Sequence, residues 1–231
     1  MLSNSEFNLE VIRRISLALG EMNERVSFVG GATIGLYIND PAAEDVRATK
    51  DVDITVEIAS LGELESIREE LVQKGFTQSP EDDVICRFRF DNIKVDVMST
   101  KEVGWAPANP WFSQGFAHRE TVKIGDQMIQ LLPLPYFIAS KFAAYIGRGG
   151  KDPRTSHDFE DIVYVIDNRT DIVAQIDKAP MDVKHYLMEQ LKIILNHNAM
   201  QEAILGNLAY ETRDVRYGRI IESFEKIINL D

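Results

Sequence analysis

Two aspartates alternate with apolar residues in segment 49–56, which reads TKDVDITV. This alternation is typical of a β-strand and puts Asp51, Asp53 and Thr55 on one face, with apolar residues on the other. Cα atoms two residues apart on a strand are roughly 6–7 Å apart. Two carboxylates at that spacing can bind one Mg²⁺ or bridge a pair of ions about 3.5–4 Å apart. An ordinary solvated strand face can carry the same pattern, so the assignment depends on other segments.

A glycine pair and a third aspartate flank this strand in the sequence. The mostly apolar segment 26–29 is followed by Gly30, Gly31 and a predicted helix. Glycine lets a phosphate approach the backbone, and the N–H groups at a helix N-terminus favour its negative charge. Segment 93–98 alternates again and puts Asp96 opposite its apolar residues. We therefore predict three carboxylates on two strands beside a phosphate-binding turn.

These residue types suit a two-metal displacement at phosphorus. In that chemistry one ion activates a hydroxyl and the other stabilises the triphosphate and the leaving pyrophosphate. The sequence resembles the DNA polymerase beta-like nucleotidyltransferases, whose pattern is Gly-Gly or Gly-Ser, then Asp-x-Asp, then a third Asp. The matching residues are Gly30, Gly31, Asp51, Asp53 and Asp96. The resemblance implies that Asp51 and Asp53 hold two Mg²⁺ ions and that Asp96 completes the metal site and helps to deprotonate the acceptor.

The spacing of these motifs narrows the resemblance to one branch. Nineteen residues separate Gly31 from Asp51, and the end of that gap reads Arg47-x-Thr49-x-Asp51. This arrangement resembles the AbiEii-type nucleotidyltransferase toxins of type IV toxin–antitoxin systems. The resemblance implies that Arg47 and Thr49 belong to the nucleotide-binding site, together with the glycine pair that holds the β- and γ-phosphates.

A second stretch supports the same branch. Lys141 lies on a predicted helix, and Asp158 and Asp161 follow a basic loop near the start of another helix. The resemblance implies that Lys141 neutralises charge on the triphosphate and that Asp158 has a catalytic role, although His157 stands where the branch usually has Arg or Lys. The alternatives are a surface lysine on an amphipathic helix and an aspartate that stabilises the helix dipole.

The predicted elements favour an α/β protein. Apolar spacing predicts a helix over 7–24, and Ser60-x-x-Glu63 is a capping box that opens another. Tight hairpins are indicated at two dipeptides, Asp91-Asn92 and Gly125-Asp126. After residue 133 the apolar periodicity is helical.

These elements predict two domains. Residues 1–132 form a polymerase-beta-like nucleotidyltransferase domain with a mixed sheet and helices. Residues 133–231 form a mainly helical domain, which we expect to cover one side of the active-site cleft.

Composition and charge restrict the partners. The chain has 231 residues, with 37 acidic and 25 basic side chains and a net charge of −12. This charge argues against broad, charge-driven binding to nucleic acid or anionic membranes. Local basic tracks remain possible interpretations, with solvated surface charge as the alternative, at Arg87, Arg89, Lys94, Arg148, Lys151 and Arg154.

Several other features bear on location and packing. The longest apolar stretch is short and broken by prolines, and the first residues lack a signal-peptide pattern, so we expect a cytoplasmic protein without a membrane partner. The single Cys86 lies on a predicted strand, where we expect a packed thiol. The aromatic segment 104–119 either fills the core or stacks on a base.

Three functional hypotheses follow. The first is transfer of NMP from an NTP to an acceptor hydroxyl, for which the toxin resemblance implies a tRNA 3′ end as the acceptor and an antitoxin protein as a partner. The second keeps the chemistry but uses a small cationic acceptor such as an aminoglycoside, which suits the acidic charge. The third is a non-catalytic nucleotide-binding protein on the same fold, and the three aspartates argue against it.

Overall fold

A computed structural model describes residues 3–149 and 152–230, which divide into two compact units. The first comprises Met1–Leu36 and Glu44–Pro133, and the second comprises Tyr37–Ala43 and Leu134–Asp231. The sequence pattern assigns residues 37–43 to the catalytic half, but the structure packs them in the second unit. There the backbone N–H groups of Asn39 and Asp40 both donate to the carbonyl of Asn168, at 3.0 Å. The division into two domains at residue 132 stays a prediction.

The first unit contains a six-stranded mixed sheet. Its strands are β1 (Val26–Val29), β2 (Asp51–Val56), β3 (Arg87–Phe90), β4 (Ile93–Ser99), β5 (Glu120–Ile124) and β6 (Gln127–Leu131). Their order across the sheet is β3-β4-β2-β1-β6-β5. The β2/β4 and β1/β6 pairs are parallel, and the other three are antiparallel. The predicted mixed α/β fold class is therefore confirmed.

Both predicted hairpins are present. Strands β3 and β4 are joined by Asp91, whose φ is +52°, and Asn92. This two-residue loop pairs Phe90 with Ile93 and therefore pairs Arg87 with Asp96 three rungs further on. The second hairpin joins β5 and β6 through the predicted glycine-containing turn.

Three α-helices complete the first unit: α1 (Asn4–Leu19), α2 (Leu61–Gln73) and α3 (Phe112–Ala117). A capping box at Ser3 begins α1, and the helix buries an apolar stripe that consists of Val11, Ile12, Ile15 and Leu19. The helix predicted over 7–24 is shorter than expected because Gly20, at φ +56°, ends it and a 3₁₀ helix follows. Helix α2 buries Leu64, Ile67 and Leu71, whereas its Val72 is 54% exposed.

The segment after the glycine pair also differs from the prediction. Residues Gly31–Leu36 form a single six-residue 3₁₀ helix. After Gly31 the segment contains one further glycine, Gly35, and two β-branched residues, Thr33 and Ile34, which disfavour a regular α-helix.

The second unit is helical, as predicted. Its helices are α4 (Leu134–Gly147), α5 (His157–Asn168), α6 (Ile172–Asp177), α7 (Met181–Leu195), α8 (Asn198–Gly206) and α9 (Arg213–Ile228). A 3₁₀ helix, Pro153–Thr155, precedes α5. None of the helices in the described part of the chain combines the length and the apolar character needed to cross a bilayer.

The aromatic segment between β4 and β5 packs into the first unit. Phe112 and Phe116 are buried, and the indole N–H of Trp105 donates to Glu65 at 3.1 Å. Cys86 is 4% exposed, which confirms the prediction of a packed thiol. Core filling therefore accounts for much of this aromatic segment.

Candidate active site

The three acids of the predicted metal site lie on two neighbouring strands. Asp51 and Asp53 are partly exposed on β2, and Asp96 is partly exposed on β4. The parallel register places Asp96 beside Asp53, at the roughly 4.8 Å spacing of paired strands. Thr55, predicted on the same face, is fully buried. The accessible polar face of β2 therefore ends at Asp53.

Gly30 lies directly against the Asp53 carboxylate. Its φ of +76° is in the left-handed region that glycine adopts readily. A Cβ atom added at Gly30 would overlap Asp53 Oδ2 and lie 2.7 Å from its Cγ. Val29, the residue before Gly30, pairs with Asp53 across the β1/β2 ladder. The glycine is therefore required for close approach of the backbone to this carboxylate, a role that the sequence pattern alone does not indicate.

The turn after Gly30 is held by Thr33. The Thr33 backbone N–H and its hydroxyl both donate to the Gly30 carbonyl, at 3.3 and 2.9 Å. These bonds fix the Gly30 peptide at the point where the 3₁₀ helix begins with Gly31. The turn is therefore anchored beside Asp53, and phosphate binding by Gly30 and Gly31 stays a prediction.

Asn8 holds the segment that leads into β2. Its side chain is 2% exposed, donates to the Arg47 carbonyl at 2.9 Å and accepts from the Thr49 N–H at 3.0 Å. The Thr49 hydroxyl in turn accepts from the Asp51 N–H at 3.2 Å. Thr49 therefore positions the start of the acidic strand, whereas the side chain of Arg47 is exposed. Nucleotide contacts by Arg47 and Thr49 stay predictions, and Asn8 is a supporting residue that the motifs do not include.

Arg87 binds the third acid. Its Nε and Nη2 donate to the two carboxylate oxygens of Asp96, at 2.7 and 2.8 Å. The side chains are 16% and 17% exposed, and the hydrogen bonds to Asp96 raise the pKa of Arg87. The register of the hairpin, counted from its two-residue loop, pairs residue 87 with 96 and could have identified this contact from the sequence.

Whether a divalent ion can bind here depends on which of the three carboxylates are available as ligands. Within residues 3–149 and 152–230, the side chains form no group of three His, Cys, Asp or Glu that could hold a metal. Both oxygens of Asp96 accept hydrogen bonds from Arg87. Mg²⁺ is commonly held by one or two carboxylates together with substrate phosphates. Asp51 and Asp53, with the backbone close to Asp53 at Gly30, fit that mode of binding.

The second unit contains a buried ion-pair cluster at the other predicted motif. Lys141 on α4 is 8% exposed, and its Nζ lies 2.7 Å from Asp161 Oδ2 and 3.3 Å from Asp158 Oδ1. Arg148 donates to the second oxygen of Asp158 at 2.5 Å. The surface-lysine alternative is therefore wrong, because Lys141 is buried and paired.

The start of α5 is capped by another residue. The Ser156 hydroxyl accepts from the Phe159 N–H at 3.3 Å, so the N-cap is Ser156. Asp158 lies in the first turn of α5, where its charge favours the helix dipole, and it also binds Lys141 and Arg148. His157 lies outside the cluster, with its Nδ1 2.9 Å from Glu160. The catalytic role of Asp158 stays a prediction.

Several members of the suggested basic tracks are paired with acids. Arg89 binds Asp82 through two hydrogen bonds, at 2.7 and 2.8 Å. Arg154 binds Asp152 in the same way, at 2.8 and 2.7 Å. Lys151 lies outside the described residues. Because the arginines are largely neutralised by their partners, they do not form a continuous basic surface.

Comparison with known proteins identifies the family. The sequence model described as the nucleotidyl transferase AbiEii toxin of a type IV toxin–antitoxin system matches residues 13–225. The chain belongs to the AbiEii family. The family is one of nucleotidyltransferases, so the predicted AbiEii branch and the predicted enzyme class, a nucleotidyltransferase, are both confirmed. No curated protein gives a match.

Two solved structures resemble the chain at low identity. One is the antibiotic-resistance factor ANT(2″)-Ia, at 18% identity and a TM-score of 0.45, over 68% of this chain and 81% of that protein. The other is an antigenic nucleotidyltransferase-like protein from Paracoccidioides brasiliensis, at 16% identity and a TM-score of 0.47, over 88% and 94% of the two chains. The AbiEii assignment depends on the family match alone.

Proposed function

We propose that this AbiEii-family chain transfers NMP from an NTP to an acceptor hydroxyl and that the reaction requires divalent ions at Asp51 and Asp53. The observation that carries the proposal is the close approach of Gly30 to Asp53, beside Asp51 and in register with Asp96. A turn and two strands thus converge on one carboxylate. The donor set is of hard oxygens, which suits two Mg²⁺ ions.

The side chains have separate roles in this proposal. A bound divalent ion supplies charge neutralisation at the α-phosphate and the leaving group. The Gly30–Gly31 turn holds the β- and γ-phosphates. Asp96 accepts the proton of the acceptor hydroxyl, and the oxygen of that hydroxyl forms a bond to the α-phosphorus. The bond from that phosphorus to the β-phosphate bridging oxygen breaks, and pyrophosphate leaves.

The remaining predicted residues stabilise the charge of the triphosphate. Lys141 and Arg47 provide cations for it, while Thr49 fixes the start of the acidic strand. Asp158 orients Lys141 through their ion pair. The buried charge of Lys141 contributes more to transition-state stabilisation than an exposed charge would.

The acceptor that we favour is a tRNA 3′ end, and the partner is an antitoxin protein. The support is the description of the family as the toxin of a type IV toxin–antitoxin system. A second candidate acceptor is a cationic small molecule, which the net charge of −12 favours. Both acceptors use the same acids and the same phosphate turn.

An acceptor screen tests the proposal. The protein is incubated with Mg²⁺ and each α-³²P ribonucleoside triphosphate, either with tRNA or with an aminoglycoside. We expect label on tRNA and no label on tRNA whose terminal diol has been oxidised with periodate. Label on the aminoglycoside alone supports the second candidate, and label on neither acceptor contradicts both.

A further inference from the structure

We propose that Arg87 is a positioning residue that competes with a divalent ion for the carboxylate of Asp96, the acid beside Asp53. The inference rests on the proposed metal-dependent function, but it concerns a residue outside the family motifs. In this proposal Arg87 determines both the affinity for the metal ion and the availability of the Asp96 carboxylate as a base.

The first observation is that the contact uses the whole carboxylate. Arg87 donates one hydrogen bond to each oxygen of Asp96, and less than a fifth of either side chain is exposed. Bidentate pairs of this type are among the stronger side-chain interactions in proteins. The hairpin register holds the two residues opposite each other on β3 and β4.

The second observation is the position of the pair relative to the other acids. Asp96 is the lateral neighbour of Asp53 on the parallel β2/β4 ladder. A cation at Arg87 therefore lies near the place where the proposed ions would bind, and Asp51 is among the charges that raise the pKa of Arg87. A metal ion at these acids would be repelled by the guanidinium and would compete with it for the same oxygens.

The third observation is a cavity beside Arg87 that has room for its side chain. It lines a cavity of about 370 Å³ that also includes Gln78, Asp82, Asp83 and Ile85. Asp82 also raises the pKa of Arg87. The cavity thus offers space and the carboxylate of Asp83 beside the segment that precedes β3, so that release from Asp96 does not leave the guanidinium without an acidic neighbour.

Arg89 provides a matched control for this proposal. It lies two residues away on the same strand, and it forms the same bidentate contact, with Asp82 in place of Asp96. Replacing either arginine with glutamine removes one positive charge from β3. Arg87→Gln frees Asp96, whereas Arg89→Gln frees Asp82, which is not one of the three acids of the predicted metal site, so the difference between the variants separates competition for Asp96 from the loss of one positive charge.

The test is a titration of Mn²⁺ into the full chain. Binding is measured by calorimetry and by the electron paramagnetic resonance signal of free Mn²⁺. We expect Arg87→Gln to bind Mn²⁺ ~10-fold or more tightly than Arg89→Gln, since a hydrogen-bonded charge pair no longer has to be broken. Equal affinities of the two variants would overturn the role of Arg87. Asp53→Asn is the reference for the metal site itself, and loss of binding in that variant supports the proposed function independently.

A measurement on the wild-type chain avoids dependence on the stability of any variant. In ¹⁵N spectra the Nε–H of Arg87 should exchange slowly with solvent in the absence of metal and much faster when Mg²⁺ saturates the site. An unchanged exchange rate at saturating Mg²⁺ overturns the proposal while leaving the metal site intact. Absence of Mn²⁺ binding in every variant overturns both the inference and the proposed function.

Discussion

Gly30 is required for its backbone conformation and for the space beside its Cα. Both the positive φ and the proximity of the Asp53 carboxylate exclude a side chain. The sequence identified Gly30 as half of a phosphate-binding pair, and the structure adds that it sets the position of a predicted metal ligand. Motif residues can therefore support one another directly.

Substitution of this glycine should affect the fold as well as the site. We expect Gly30→Ala to lower the free energy of unfolding by about 1–3 kcal/mol, because Ala is strained at this φ and its Cβ displaces Asp53. Denaturant unfolding measures the change. The control is Gly62→Ala in α2, where the nearest atom to an added Cβ is 3.9 Å away, and this variant should be unchanged or up to ~1 kcal/mol more stable. Equal stability of Gly30→Ala and wild type would contradict the close approach.

Cys86 should be unreactive in the folded chain. Burial raises the pKa of its thiol to about 11, and the charges of Asp96 and Asp53 act in the same direction. The folded state holds this proton more tightly than the unfolded state, so the contribution to stability is present at neutral pH and is lost as pH rises from about 8.5 to 11. We expect iodoacetamide at pH 8 to modify the native protein very slowly and the urea-unfolded chain rapidly. Rapid labelling without denaturant would contradict this environment.

Among the elements, the β3/β4 hairpin could be predicted most fully. Its alternation and its two-residue loop define the strands, the faces and the register. The same information predicts the Arg87–Asp96 pair once the rungs are counted from the loop. The alternation in β4 continues through Ser99, as expected for a strand with one buried face.

Other features depend on tertiary contacts that periodicity does not encode. Thr55 is polar and alternates with apolar residues, yet it is fully buried because the exposed face of β2 ends before it. The segment 37–43 has no periodic pattern, and its bonds to Asn168 on α5 decide which unit it joins. Asn8 lies on the buried side of α1 and bonds to backbone groups 39 and 41 residues away.

The α4–α5 ion-pair cluster consists of Lys141, Arg148, Asp158 and Asp161. Its structural role and its proposed catalytic role can be tested separately. Lys141→Ala leaves Asp158 and Asp161 with one fewer buried cation, and we expect it to cost about 3–5 kcal/mol of stability. The triple variant Lys141→Met, Asp158→Asn and Asp161→Asn has no such uncompensated charge and should regain much of that stability. If Lys141 serves the triphosphate, the triple variant is folded but inactive.

The control for this cluster is another buried lysine of the second unit. Lys184 is 5% exposed and pairs with Asp177 at 3.2 Å. Lys184→Ala should retain turnover, since no motif includes it. A folded triple variant with wild-type turnover would assign the α4–α5 cluster to stability alone.

The charge of the chain as a whole favours local recognition of its acceptor. The net charge is −12, and Arg87, Arg89 and Arg154 are each held by a carboxylate. A long, phosphate-tracking surface requires many uncompensated cations. Recognition of an RNA end needs fewer phosphate contacts, which agrees with a tRNA 3′ terminus as the proposed acceptor.

The most direct test of the proposed chemistry compares NMP transfer by wild type, Asp53→Asn and Asp126→Asn. Asp126 is a matched control because it is an aspartate of the same unit, 67% exposed in the β5–β6 turn. Each protein is first shown to be folded by its thermal transition and is then incubated with tRNA, Mg²⁺ and α-³²P ribonucleoside triphosphates. We predict that wild type and Asp126→Asn label the tRNA in a reaction that EDTA abolishes and that Asp53→Asn loses at least ~10³-fold in rate. Wild-type transfer by Asp53→Asn, or transfer by wild type that persists in EDTA, would contradict the assignment of metal-dependent nucleotidyl transfer to these acids.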